Sequence, residues 1–115
     1  MTTFAQHEYN GMAVLRPEGR LDMVAAPKLR KRIAQMVADG QARLVVDLSA
    51  TEFMDSSGLA ALVAGLKTAR QANGDLRIAC PTDQALLVLE LTSMTRVFHP
   101  YPSVDDATRV DDATR

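Results

Sequence analysis

Short apolar blocks and polar punctuation alternate along this chain at two different periods. Residues 4–9 and 12–16 are strand-like blocks separated by Asn10-Gly11. That dipeptide tolerates the positive φ angles of a type I′ turn, so the pair predicts a β-hairpin. Pro17 is expected to end the second strand's ladder and Gly19 to free the chain to turn. From about residue 25 to 39 the period changes to that of a helix, with Leu29, Ile33, Met36 and Val37 on one stripe. Pro27 suits the first turn, where a missing N–H costs nothing, and Gly40 suits the stop. Residues 44–48 are almost continuously apolar, the pattern of a central strand covered on both faces.

Residues 49–52 read as a polar loop, after which Phe53-Met54 return the chain to the interior. A second helix is predicted over 57–73. Leu59, Leu62, Val63 and Leu66 form its core stripe, and Ala60, Ala61, Ala64 and Gly65 keep another side thin. Asn73-Gly74 ends it. Residues 76–80 predict a strand stopped by Pro81. Thr82 caps a third helix to about residue 91, with Leu86, Leu87, Val88 and Leu89 largely buried. Val97-Phe98 is expected as a short last edge strand, and Ser103 as the cap of a terminal helix beginning at Val104. A strand–helix–strand order implies a right-handed parallel crossover, so the whole reads as one small α/β domain with a mixed sheet. The hexapeptide of residues 104–109 recurs identically at 110–115. Two copies are too few for a repeat architecture, and a slipped duplication is the simpler reading. The domain is accordingly placed at 1–109. The second copy, 110–115, is expected to extend the last helix or to fray.

Composition narrows the function. At 115 residues the chain suits one domain that hides roughly two-thirds of its unfolded surface without needing metals or disulfides. Lys and Arg number 13 against 14 Asp and Glu, a net charge of −1, so no cationic excess exists for broad nucleic-acid binding. Lys28, Arg30, Lys31 and Arg32 nevertheless cluster near the start of the first helix, where the dipole disfavours them. On sequence alone a solvated face is the favoured reading of that cluster. The single cysteine, Cys80, excludes an intramolecular disulfide and a CxxC metal site, and suits a reducing cytosol as a buried small residue. The start Met1-Thr2-Thr3-Phe4 lacks a basic segment followed by an apolar run, and the longest strongly apolar stretch, 59–66, is far short of a membrane span. A soluble cytoplasmic protein is expected.

Catalytic signatures are sparse. There is no P-loop, GxGxxG, HExxH or GxSxG. His7 and His99 fall on different predicted strands without metal-ligand spacing. One segment stands apart: Phe53-Met54-Asp55-Ser56-Ser57-Gly58-Leu59, between a buried strand and a helix. Asp55 or Ser56 can cap the helix, and Gly58 permits close backbone packing. Capping accounts for one polar residue better than for three in a row. A serine hydroxyl at a helix start is also a natural phosphoacceptor, because the phosphate meets free N–H groups and the positive end of the dipole. The added charge of roughly −1.5 to −2 would fall beside Asp55, leaving the fold intact while repelling an apolar or acidic partner surface.

At this segment the sequence resembles the STAS domain family, specifically the bacterial anti-sigma-factor antagonists, over about residues 4–109. The matching features are Gly19-Arg20-Leu21-Asp22, the central strand at 44–48, and the Asp55-Ser56-Ser57-Gly58 motif. The resemblance implies a mixed four- to five-stranded sheet with helices mainly on one side. It implies a non-enzymatic switch without cofactor or metal. The unphosphorylated form would bind a serine kinase of the GHKL ATPase type that doubles as the anti-sigma factor. That kinase would phosphorylate Ser56 and so abolish binding, and a PP2C-type phosphatase would reverse it. Asp22 matches an aspartate of the partner-contacting loop, and Asp55, Ser56, Ser57 and Gly58 complete the implied partner-binding set. No direct contact with nucleic acid, no membrane insertion and a monomeric free state are expected. Ala25-Ala26-Pro27 departs from the Ser/Thr helix cap of many relatives, which should weaken that cap. An alternative is a STAS subunit of a transporter or scaffold assembly, such as ABC-type lipid transport, that docks through the same motif without phosphorylation. A third, an enzyme with Ser56 as nucleophile, needs a nearby base, and nothing in the sequence brings His7 or His99 to it.

Overall fold

The structure, a computed structural model, describes residues 1–109. The duplicated hexapeptide at 110–115 and its expected fraying lie outside the described residues. Strand β1 (Thr3–Tyr9) and strand β2 (Met12–Leu21) form the expected antiparallel hairpin, from Thr3 opposite Glu18 to Tyr9 opposite Met12. Asn10 and Gly11 have φ of 51° and 79°, the two positive values a type I′ turn requires. Helix α1 (Ala26–Ala38) leads to β3 (Arg43–Asp47), and β4 (Thr51–Met54) leads to helix α2 (Ser56–Gln71). Then come β5 (Asp75–Ala79), α3 (Asp83–Leu91), a single helical turn α4 (Thr95–Phe98) and α5 (Val104–Thr108).

The five strands make one mixed sheet. Its continuous order is β1-β2-β3-β5, with β3 parallel to β2 and β5 parallel to β3. The fifth strand, β4, pairs in parallel with the end of β2 alone. Thus β2 is shared: Ala13–Leu15 pair with β3, and Gly19–Leu21 pair with β4.

Alternation sorts the side chains to two faces. Leu15, Leu44, Val46 and Ile78 join the large core under α1, α2 and α3, where Leu29, Ile33, Leu62 and Leu89 are fully buried. Met12, Val14, Val45 and Ala79 point the other way and are covered by Ala107 of α5. The helices therefore lie mainly on one side, and β3 is covered on both. The small α5 is fixed by polar bonds. Tyr9 donates its hydroxyl to Asp105, Asn10 donates its side-chain amide to Thr108 Oγ1, and Arg77 donates to the Ala107 carbonyl. Ser103 and Thr82 cap α5 and α3 as expected.

Several expectations need correction. Pro17 does not end β2, which runs four residues further to Leu21. It falls in the gap between the stretch paired with β3 and the stretch paired with β4, so no ladder on that side needs its N–H. The predicted loop at 49–52 is half strand: Thr51 already pairs with Gly19, and its buried hydroxyl donates to the Pro17 carbonyl. Val97-Phe98 is helical rather than a strand. Ser93 takes a positive φ of 60°, a helical turn seats Phe98 in the core, and His99 stops it at φ 46°. The edge position beside β5 goes instead to Tyr101, bridged to Ala79. Leu87 is 51% exposed and only Leu89 of the α3 leucines is fully buried. Cys80 lies just past β5, half-buried, its thiol directed at the Pro102 carbonyl.

Candidate functional site

Parallel pairing places Leu21, the last residue of β2, beside Met54, the last residue of β4. The chain therefore leaves two neighbouring strands at one edge of the sheet, and the residues that follow, Asp22 and Asp55, open two adjacent loops. Each aspartate organises its own loop. Asp22 Oδ1 accepts from the backbone N–H groups of Val24 (3.1 Å) and Ala25 (3.2 Å), and its carbonyl accepts from Ala26. The bond from Ala25 outweighs the opposing effect of burial and, with the weaker bond from Val24 and the charge of the nearby Arg20 guanidinium, holds the Asp22 carboxyl below its ordinary pKa. This turn explains how α1 begins without a side-chain cap on Ala25: the capping aspartate stands three residues earlier.

Asp55 is the N-cap of α2. Its Oδ1 accepts from Ser57 N (2.8 Å) and Gly58 N (3.1 Å). Ser56 is the first helical residue, exposed, while Ser57 is half-buried. Gly58 is buried against the end of β2. A Cβ built on it would stand 2.2 Å from the Leu21 carbonyl oxygen and 3.0 Å from Leu21 Cγ. The glycine is thus what lets the first turn of α2 rest directly on the strand that leads to Asp22.

The two loops and the two helix starts enclose a shallow groove lined by Met23, Ala26, Pro27 and Arg30 on one side and Ser56, Ser57 and Ala60 on the other. Asp22, Asp55, Ser56, Ser57 and Gly58 are therefore brought to one edge. Ser56 and Ser57 face the groove, while Asp22, Asp55 and Gly58 shape its backbone.

Three features escaped the sequence. Gln84 of α3 makes a two-pronged contact with β4: Met54 N–H donates to Gln84 Oε1 and Gln84 Nε2 donates to the Met54 carbonyl, both at 2.8 Å. This closes the open edge of β4 immediately before the Asp55 loop, and no periodicity identifies a glutamine as a ladder partner. Arg20 stacks over the Phe53 ring at 4.3 Å while lying 3.6 Å from Asp22, so it clamps β2 to β4 on the outer surface. Met23 and Val24 stand 72% and 71% exposed beside the groove, although an apolar pair next to a helix start reads as interior.

No imidazole lines the groove. His7 sits in mid-β1 opposite Val14, and His99 follows α4. Among the described residues no group of three or more His, Cys, Asp or Glu is placed to hold a metal ion, and no helix is long and apolar enough to cross a membrane. Burial, followed by the nearby Asp47 carboxylate, pushes the Cys80 thiol up, which disfavours the reactive thiolate. What the edge offers chemically is one exposed hydroxyl at a helix start, two aspartates that cap backbone N–H groups, the Arg30 guanidinium and an apolar rim.

Comparison with known proteins agrees with this architecture. The family model described as the STAS domain matches residues 4–107. The anti-sigma-F factor antagonist RsfB of Mycobacterium tuberculosis is 46% identical over 57 residues, covering 50% of this chain. That match spans about half of the relative's length, 47%. An anti-sigma-B factor antagonist of Staphylococcus aureus is 30% identical over 93 residues, 81% of this chain and 82% of that protein. The crystal structure of an anti-sigma factor antagonist from Mycobacterium paratuberculosis superposes with a TM-score of 0.83 at 34% identity, over 93% of this chain and 91% of that one. By the extent of these matches and by its five-stranded mixed sheet, the chain belongs to the STAS domain family.

Proposed function

We propose that this chain is an anti-sigma-factor antagonist operated by phosphorylation. Its unphosphorylated form binds a cytoplasmic serine kinase of the GHKL ATPase type that is also an anti-sigma factor. That kinase phosphorylates Ser56, the complex dissociates, and a PP2C-type phosphatase resets the cycle. The names of the relatives, anti-sigma-F and anti-sigma-B factor antagonists, support the general role. One observation supports the phosphorylation step: Ser56 is exposed on the first turn of α2, while Asp55 already occupies the Ser57 and Gly58 N–H groups. A phosphate on Ser56 adds charge at the surface without displacing the cap. Residues 1–109 act as the switching domain and as a monomer when free. Asp22, Asp55, Ser56, Ser57 and Gly58 form the partner-binding edge.

The chemistry accounts for dissociation without refolding. A desolvated charge facing an apolar or acidic surface costs several kcal/mol, on the order of a hundredfold or more in affinity. The experiment compares wild-type, Ser56→Asp and Ser56→Ala chains as baits in lysate of the native host. Wild type and Ser56→Ala retain the kinase and Ser56→Asp loses it, with all three equally folded by circular dichroism. Mass spectrometry after incubation with that kinase and ATP finds phosphate on Ser56. The same partners on all three baits would overturn the proposal in favour of a constitutive assembly subunit.

A further inference from the structure

The first seven residues of α1 carry Lys28, Arg30, Lys31 and Arg32, and the helix holds no Asp or Glu from end to end. This occurs in a chain whose net charge is −1. The four cations stand at the helix end where the macrodipole is itself positive; the first turn holds no acidic side chain, and the one carboxylate capping that end is Asp22. None forms an ion pair among the described residues, and only Arg32 is engaged, donating to Gln6 Oε1. Helical spacing distributes them. Arg30 turns toward α2 and lines the Ser56 groove, while Lys28 and Lys31 face outward and continue to Arg32 on the β1 side. The exposed pair Met23 and Val24 directly precedes this surface. Two helix starts also meet here, since α1 and α2 follow neighbouring parallel strands.

We propose that this surface, with Met23 and Val24 as apolar contacts and Lys28, Arg30 and Lys31 as counter-charges, docks an acidic face of the protein partner that Ser56 controls. The proposal rests on the switch reading above and adds the chemistry of the partner. Four like charges at a helix start, set against the single capping carboxylate of Asp22, oppose the fold and are relieved by an acidic surface laid across them. Continuity with the Ser56 groove favours a protein over an anionic membrane. The small number of free cations disfavours nucleic acid, which engages more phosphates than this surface can match. A phosphate on Ser56 lands in the groove beside Arg30. It lowers the positive potential that attracts the partner, in addition to any direct repulsion.

The test uses the full chain and the purified kinase recovered with the wild-type bait. Association rates are measured by stopped flow in low salt and at about 0.5 M NaCl. Lys28→Glu/Lys31→Glu, whose side chains are exposed, lowers the association rate about tenfold or more in low salt and converges on wild type in high salt. Lys28→Gln/Lys31→Gln gives an intermediate loss, and thermal unfolding of each variant verifies the fold. Met23→Ser/Val24→Ser raises the dissociation rate instead. If charge reversal leaves the rates unchanged while Ser56→Asp abolishes binding, this proposal falls and the switch stands. If charge reversal abolishes binding and Ser56→Asp retains it, the surface is right and the switch is wrong. Wild-type protein that co-sediments with phosphatidylserine-containing vesicles, and whose kinase binding ignores salt, would overturn the protein-docking assignment in favour of a membrane surface.

Discussion

Replacing Gly58 with alanine tests whether the site is built on backbone contact. The added methyl carbon would stand 2.2 Å from the Leu21 carbonyl oxygen, so the start of α2 must retreat by about 0.8 Å to reach even 3.0 Å. The obstructing atom belongs to a strand backbone paired with β4, which cannot rotate away as a side-chain tip could. Overpacking of this kind costs about 1–3 kcal/mol, and a rigid partner puts it at the upper end. Alanine's better helix propensity returns at most about 1 kcal/mol. A net loss of about 2 kcal/mol remains, which for a domain of this size lowers Tm by about 8 °C or more. Thermal unfolding followed by circular dichroism measures it directly. Because the displaced turn carries Ser56, affinity for the kinase should fall along with stability. A Gly58→Ala chain that melts within about 2 °C of wild type, or above it, refutes the reasoning.

Other substitutions probe the neighbouring supports. Gln84→Leu strips Met54 of partners for both its N–H and its carbonyl and is expected to cost about 2–4 kcal/mol, with amide exchange at Met54 accelerating first. Asp55→Ala removes the α2 cap and should destabilise by about 1 kcal/mol in denaturant titrations, whereas Asp55→Asn, which keeps the acceptor oxygen, should lose only a fraction of that. The Asp22 carboxyl has a depressed pKa in the folded chain, so its stabilising effect is complete above the unfolded value and is lost as pH falls through the folded one. Amide chemical shifts of Val24 and Ala25 should therefore titrate with a midpoint below the ordinary aspartate value, and Asp22→Asn should abolish that titration.

Local chemistry was legible where one residue decides the outcome. Asn10-Gly11 can form only a few turns, Thr82 and Ser103 cap the next helix from their own side chains, and Asp55 does the same in the motif. Rules failed where a distant partner decides. Pro17 reads as a strand breaker because proline lacks a donor. Its neighbours on β2's far side change at that point, which is information held in two other strands. Val97-Phe98 has strand composition, yet the demand of the core for Phe98 outweighs it. The site was legible through Asp55 to Leu59. Gln84 and the exposed Met23-Val24 pair were not, since nothing in their spacing reports what faces them.

The divided use of β2 has a consequence for how the molecule opens. β3 is held by hydrogen-bonded strands on both sides, whereas β4 is held by Gly19–Leu21 on one side and by the Gln84 amide on the other. Its connection to the rest of the ladder is short enough to break while the β1-β2-β3-β5 frame stays closed. Native-state hydrogen exchange should therefore divide the sheet into two cooperative units. Met54 and the end of β2 should exchange through a low-energy opening, while Val45 and Ile78 exchange only through global unfolding. The segment that presents Ser56 is thus expected to open without the β1-β2-β3-β5 frame.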